Sequence, residues 1–172
     1  MTATSKLPNI IFLDMDGVLC TVRACLATGN TGAGYSYLDP IACALVKRLC
    51  DECNAKLVIS SAWRILYDRL AMEAILSAAC PNLGRYIWQD SSHWRTGDWA
   101  YEEGITETSD RGREIKLWID EHETEFNNFV VLDDMADMRP VQDSLVRCDF
   151  YDGFGYHQYN AAARLLGGSV WS

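Results

Sequence analysis

Apolar residues fall along this chain in short runs, separated by stretches with a three- and four-residue period. Ile10–Leu13 and Phe129–Leu132 are unbroken, and Lys56–Ile59 and Leu145–Cys148 each carry one basic residue. Runs of this length without polar alternation predict strands covered on both faces. Arg85–Trp88 is a weaker candidate of the same kind. Between the runs, Asp39-Pro40 opens a helix well, since Asp caps free amides and Pro suits the first helical position. The spacing of Ile41, Ala44, Leu45 and Leu49 predicts its buried face, and Asn54 is a natural left-handed stop. A second helix is predicted to run to about Cys80 with Leu66, Leu70, Ile75 and Leu76 apolar, until Pro81–Gly84 breaks it. A third is predicted over Asp110–Glu123, with Ile115, Trp118, Ile119 and His122 on one face. The last carries Tyr159, Ala162, Ala163 and Leu166 and stops at Gly167-Gly168. Alternating strands and helices predict an α/β fold, a Rossmann-like parallel sheet of about five strands flanked by helices.

Two stretches lack a period. Thr28–Tyr35 is glycine-rich and sits in a connection over 20–38 that reads either as a flap over the first strand's end or as a plain surface loop. Residues 89–108 hold Trp94, Trp99, Tyr101, His93 and Arg95. They read as cover for a core edge or as an insertion whose aromatic rings stack on a base or sugar. The 172 residues suit one domain spanning 1–172, with Met1–Pro8 as a lead-in.

Composition narrows the surroundings. The net charge of −9 argues weakly against a polynucleotide-binding face. It leaves room for a local basic mouth built from Arg64, Arg85, Arg95, Arg111 and Arg113. No apolar run nears the length of a membrane span, and the start lacks a signal-peptide core. Seven cysteines without that signal fit reduced thiols in the cytoplasm. Cys50 and Cys53 have C-x-x-C spacing but no second pair at zinc-finger distance, which favours helix or core thiols. His122 likewise has no partner histidine at metal-binding spacing.

The candidate chemistry lies where the runs end. Ile10–Leu13 leads into Asp14-Met15-Asp16-Gly17, Lys56–Ile59 into Ser60-Ser61, and Phe129–Leu132 into Asp133-Asp134. In a parallel sheet the carboxyl ends share one edge, so these residues should converge. Four carboxylates in one crevice call for a divalent cation, and all-oxygen ligation favours Mg²⁺. With an arginine at a nearby helix start, that inventory suits a phosphomonoester, attacked at phosphorus by a carboxylate.

The string Ile10-Ile-Phe-Leu-Asp14-Met-Asp16-Gly17-Val-Leu19 resembles motif I of the haloacid dehalogenase-like (HAD) phosphohydrolases, and the other run ends resemble the later motifs in order. The resemblance covers essentially the whole chain and implies a HAD-like fold. It implies that Asp14 is a nucleophile forming an aspartyl-phosphate and that Asp16 is the general acid and base. Ser60 would bind a phosphoryl oxygen. Asp14, the Asp16 carbonyl, Asp133 and Asp134 would hold Mg²⁺, with Asp137 either a further member or a surface acid. For the motif III cation, Arg111 and Arg113 both qualify, and Arg111-Gly112 is closer to the family's form. Ser60-Ser-Ala-Trp-Arg64, Arg111–Trp118 and Val131–Asp134 further resemble a small, nearly capless subfamily of bacteria and phages associated with RNA-repair proteins. Ser61, Arg64, Arg113, Trp94 and Trp99 are the candidates to hold the rest of the substrate. The implied activity is a Mg²⁺-dependent phosphomonoester hydrolase acting on a nucleotide or other small phosphorylated metabolite. A nucleic-acid 3′-phosphatase is the alternative, because a site with a minimal cap also admits a polynucleotide end. A phosphotransferase would use the same chemistry. A non-catalytic HAD-like binding protein would be expected to lose Asp14 or Asp16, and both are present.

Overall fold

A computed structural model describes residues 7–29, 37–89, 92–97 and 111–171. Four strands, β1 (Asn9–Leu13), β2 (Ala55–Ile59), β3 (Phe129–Asp133) and β4 (Leu145–Arg147), form one sheet in the order β2-β1-β3-β4. Every pairing is parallel. Among the described residues the α-helices are α1 (Val22–Thr28), α2 (Pro40–Cys53), α3 (Trp63–Leu66), α4 (Arg69–Ala79), α5 (Arg111–His122) and α6 (Tyr156–Leu165).

The strands are apolar throughout because both faces are covered. Ile11, Leu13, Leu57, Ile59, Val130 and Leu132 face a core shared with Leu49 of α2, Met72 and Leu76 of α4 and Ala162 of α6. Ile10, Phe12, Val58 and Val131 face the opposite core, filled by Ile115 and Trp118 of α5 with Phe126 and Met138. Phe12 meets the Trp118 ring edge-on at 5.3 Å, and His122 stacks on Trp118 at 4.1 Å, so His122 is a core residue. All seven cysteines are buried free thiols.

Three expectations are corrected. Arg85–Trp88 is not a strand. Gly84–Tyr86 forms a 3₁₀ turn, after which Ile87 and Arg95 make isolated parallel bridges to Leu57 and Ile59. The edge beyond β2 is therefore stitched in two places, and among the described residues the sheet has four strands rather than about five. On α2 the buried stripe is Ala42, Cys43, Val46, Leu49, Cys50 and Cys53, while Ile41 is exposed. This stripe joins the core on one face of the sheet. The helix expected to reach Cys80 is interrupted at Tyr67-Asp68, where the Asp68 carboxylate caps the Ala71 amide, and Leu66 and Leu70 stay in solvent.

Within the expected flap, residues 22–28 form α1, whose Thr21 side chain accepts from the Ala24 amide. Residues 30–36 lie outside the described residues, as do residues 98–108 of the Trp-bearing stretch. No helix among the described residues is long and apolar enough to cross a membrane.

Candidate active site

The chain runs from β1 to β2 on one side, then returns past β1 to β3 on the other. The crevice at the carboxyl ends of β1 and β3 is therefore the topological switch point, where open α/β sheets bind ligands. Leu13 is level with both Ile59 and Leu132, so Asp14, Ser60 and Asp133 leave the sheet at one height. The Asp14 amide donates to the Leu132 carbonyl (3.0 Å) and the Ser60 amide to the Leu13 carbonyl (3.1 Å), extending that pairing to the first residues of the site.

Asp14, Asp133 and Asp134 each present a carboxylate oxygen within 4.8 Å of the others. Asp14 and Asp133 are buried and Asp134 half-buried. Gly17 makes the approach of Asp134 possible. Its φ is +72°, and a Cβ there would lie 2.8 Å from the Asp134 Cβ. A side chain at 17 would be strained in this left-handed conformation and would push Asp134 away. A dense all-oxygen donor set of this kind fits a hard divalent cation such as Mg²⁺, held by Asp14, Asp133 and Asp134.

Arg111, the first residue of α5, reaches into the same crevice. Its Nη1 lies 2.6 Å from Asp133 Oδ2 and 3.2 Å from Asp14 Oδ2. The following Gly112 has no room for a side chain, since a Cβ would stand 2.4 Å from the Arg139 carbonyl oxygen. That close approach brings the start of α5 against the loop after β3. Met135 N–H donates to the second Asp133 oxygen at 2.9 Å. Arg113, two residues on, points elsewhere: it is exposed and lines a surface cleft of about 430 Å³ with Asp137, Arg139 and Pro140. Asp137 is an exposed acid paired with Arg139.

The electrostatics of this cluster are those of crowded, desolvated acids. Burial pushes the Asp14 carboxyl up from 3.8 to about 6; the Arg111 guanidinium opposes that, the Asp133 charge adds to it, and a Ser61 hydrogen bond opposes it again. Burial also raises Asp133, against Arg111, and it raises Asp134, with the Asp14 charge helping. Arg111 moves up despite its own burial, because Asp14 and Asp133 flank it. Three raised acids around one fixed arginine describe a site short of positive charge.

This has a measurable consequence. Between pH 4 and pH 6 the folded chain holds a proton on Asp14 that the unfolded chain has lost. The resulting stabilisation is complete below about pH 4 and is lost as pH rises through 6. Relative to Asp14→Asn, metal-free wild type should therefore lose thermal stability from pH 4 to pH 7, on the order of 5 °C. Mg²⁺ should return most of the difference at pH 7 and little of it at pH 4, as followed by thermal unfolding.

The two serines after β2 have separate surroundings. The Ser61 side chain hydrogen-bonds Asp14. The Ser60 hydroxyl is fully buried at the end of β2 and has no hydrogen-bond partner among the described residues. An orphaned buried hydroxyl is costly unless something else satisfies it. Asp16 is half-buried, and its Oδ2 accepts from the Trp63 indole Nε1–H at 2.9 Å.

Two of the residues named as candidates to hold substrate are buried. Arg64 is buried, its guanidinium pairing with Glu114 at 2.7 Å and donating to the Ser60 carbonyl at 2.8 Å. It ties the turn after β2 to the first turn of α5. Trp94 is 5% exposed within the sheet core, leaving no ring face on which a base could stack. Trp99 lies outside the described residues. The sequence reading gave no role to Trp63 or Glu114. The available signals were a Trp inside Ser60–Arg64 and an acid one turn after Arg111.

A parallel α/β sheet with clustered aspartates at the ends of β1 and β3, and a cation at the start of the preceding helix, defines a HAD-like domain. Residues 10–158 match the family described as the HAD domain in Swiss Army Knife RNA repair proteins, and the chain belongs to that family. Membership supports a function of the HAD phosphatase type. No curated protein and no solved structure gives a significant match.

Proposed function

We propose that this chain is a Mg²⁺-dependent phosphomonoester hydrolase working through an aspartyl-phosphate on Asp14. The observation that carries this reading is the Asp14–Asp133–Asp134 cluster, two of its acids buried and the third half-buried, with Arg111 between two of its members. When bound, the cation would neutralise the carboxylates and the phosphoryl oxygens, giving the Lewis-acid stabilisation that such a transfer needs. The Asp14 carboxylate oxygen forms a bond to phosphorus as the bond from phosphorus to the ester oxygen breaks. Asp16 gives its proton to the departing oxygen, so an alcohol leaves rather than an alkoxide. Asp16, now a carboxylate, takes a proton from water as that water attacks the phosphorus of the aspartyl-phosphate. Inorganic phosphate is released and Asp14 regenerated. Ser61 holds the Asp14 carboxylate in place through its hydrogen bond. The orphaned Ser60 hydroxyl is suited to a phosphoryl oxygen, as is the Arg111 guanidinium.

The family match favours a second, narrower reading, that the phosphate hydrolysed stands on an RNA end. The net charge of −9 weighs toward a nucleotide or other small ester instead. Phosphate release from p-nitrophenyl phosphate, a nucleoside monophosphate and a 3′-phosphorylated oligoribonucleotide, with and without EDTA, tests both readings. Mg²⁺-dependent turnover is expected, with kcat/KM ranking the three. Activity that persists after exhaustive EDTA treatment would refute the mechanism.

A further inference from the structure

We infer that Trp63 is the positioning residue for Asp16, its indole N–H holding the carboxylate in the orientation from which it protonates the leaving oxygen. The inference rests on the phosphatase reading above and assigns a role to a residue that reading leaves unused. Trp63 opens α3, a helix of only four residues that would be marginal alone. It is fixed from several sides. The Ser61 hydroxyl accepts from the Trp63 amide at 3.3 Å, and the Trp63 carbonyl accepts from the Tyr67 amide at 3.0 Å. The ring packs on the sheet core and lies 5.7 Å from the Tyr67 ring. Its neighbour Arg64 is locked to Glu114 and the Ser60 carbonyl.

A half-buried indole can give its N–H to water, and a packing role would need nothing more. Here the donor spans 47 residues of sequence to one oxygen of Asp16, at 2.9 Å. A carboxylate with one oxygen held by a rigid donor loses rotational freedom about its own axis. Its second oxygen is then left to carry the proton. Orientation of this kind is what general acid catalysis requires, since a misplaced acid loses rate steeply. In the transfer itself the proton passes from Asp16 to the ester oxygen as the phosphorus–oxygen bond breaks. An alkyl ester depends on that proton, because an alkoxide is a poor leaving group. A p-nitrophenyl ester does not, because its phenolate leaves unaided.

The test is therefore the ratio of kcat/KM for an alkyl phosphate, such as glycerol phosphate, to that for p-nitrophenyl phosphate. This constant covers the steps up to alcohol release and excludes the later attack of water. Trp63→Phe keeps a ring and removes the N–H, and the ratio should fall about 10- to 100-fold, a fraction of the full effect of an acid. An unchanged ratio in an active enzyme, whether both esters lose equally or neither loses, would overturn the role of Trp63 alone. Wild type inert on both esters would instead overturn the phosphatase reading and this role with it, and Asp14→Asn as active as wild type would overturn the aspartyl-phosphate step. Should Trp63→Phe fail to fold, the indole proton resonance of Trp63 decides the matter in Asp16→Ala. It should move upfield and exchange faster with solvent, and an unmoved resonance would remove the bond on which the inference stands.

Discussion

Asp14→Asn should reduce phosphatase turnover by at least about 10³-fold while leaving the chain folded and, without metal, no less stable than wild type. The loss follows from the proposed chemistry, since a carboxamide oxygen is too weak a nucleophile for phosphorus. The gain or neutrality in stability follows from the surroundings. Asp14 is 4% exposed, flanked by the Asp133 charge and pushed well above the ordinary carboxylate range. Replacing it with an uncharged group of the same shape removes a desolvated, repelled charge. A nucleophile is expected to behave this way, since a site built for reaction holds its groups at a cost in stability. Steady-state kinetics and thermal unfolding on the same preparation check both halves. A variant that loses activity and also unfolds several degrees earlier would place Asp14 among the structural residues.

Arg64→Ala and Glu114→Ala should each destabilise the fold by about 3–5 kcal/mol, because each leaves its partner's charge buried and uncompensated. Both side chains are 6% exposed, so water cannot take over the lost contact cheaply. For a chain of this size that corresponds to a fall in Tm of roughly 6–20 °C. Arg64→Met with Glu114→Leu together should recover much of the loss, since two apolar groups leave no orphaned charge. The double variant should nonetheless lose activity. The pair joins the turn bearing Ser60 and Ser61 to the helix that starts at Arg111, and without it those groups lose their common frame. Single variants within about 1 kcal/mol of wild type would show that water or neighbouring groups already serve this pair.

The strands and the convergence of the site were legible because they rest on short-range signals. An unbroken apolar run ending in Asp or Ser states both where a strand is buried and where its chemistry begins, and Ile10–Asp16 and Phe129–Asp134 do so without ambiguity. Failures arose where apolar content did not decide burial. Ile41, Leu66 and Leu70 are exposed while Cys43, Cys50 and Met72 are buried, because close packing against the sheet selects shape as well as hydrophobicity. Arg64 and Trp94 were candidates to hold substrate, and both are buried, Trp94 as the cover for a core edge that was its other reading. What fixes Arg64 is an acid 50 residues away, and no local pattern announces such a pairing. The Trp63–Asp16 hydrogen bond is hidden for the same reason, since its partners are neighbours only after β1 and β2 have paired.

The central claim is that phosphate passes through Asp14, and acid-quenched peptide mass spectrometry tests it most directly. Asp16→Asn removes the group that activates water, so an aspartyl-phosphate formed from p-nitrophenyl phosphate and Mg²⁺ should persist long enough to be trapped. The expected result is the mass of one phosphoryl group on the peptide bearing Asp14, absent when Asp14 is also changed to Asn. Phosphate found on another residue, or turnover by wild type with no phosphorylated peptide under any quench, would contradict it.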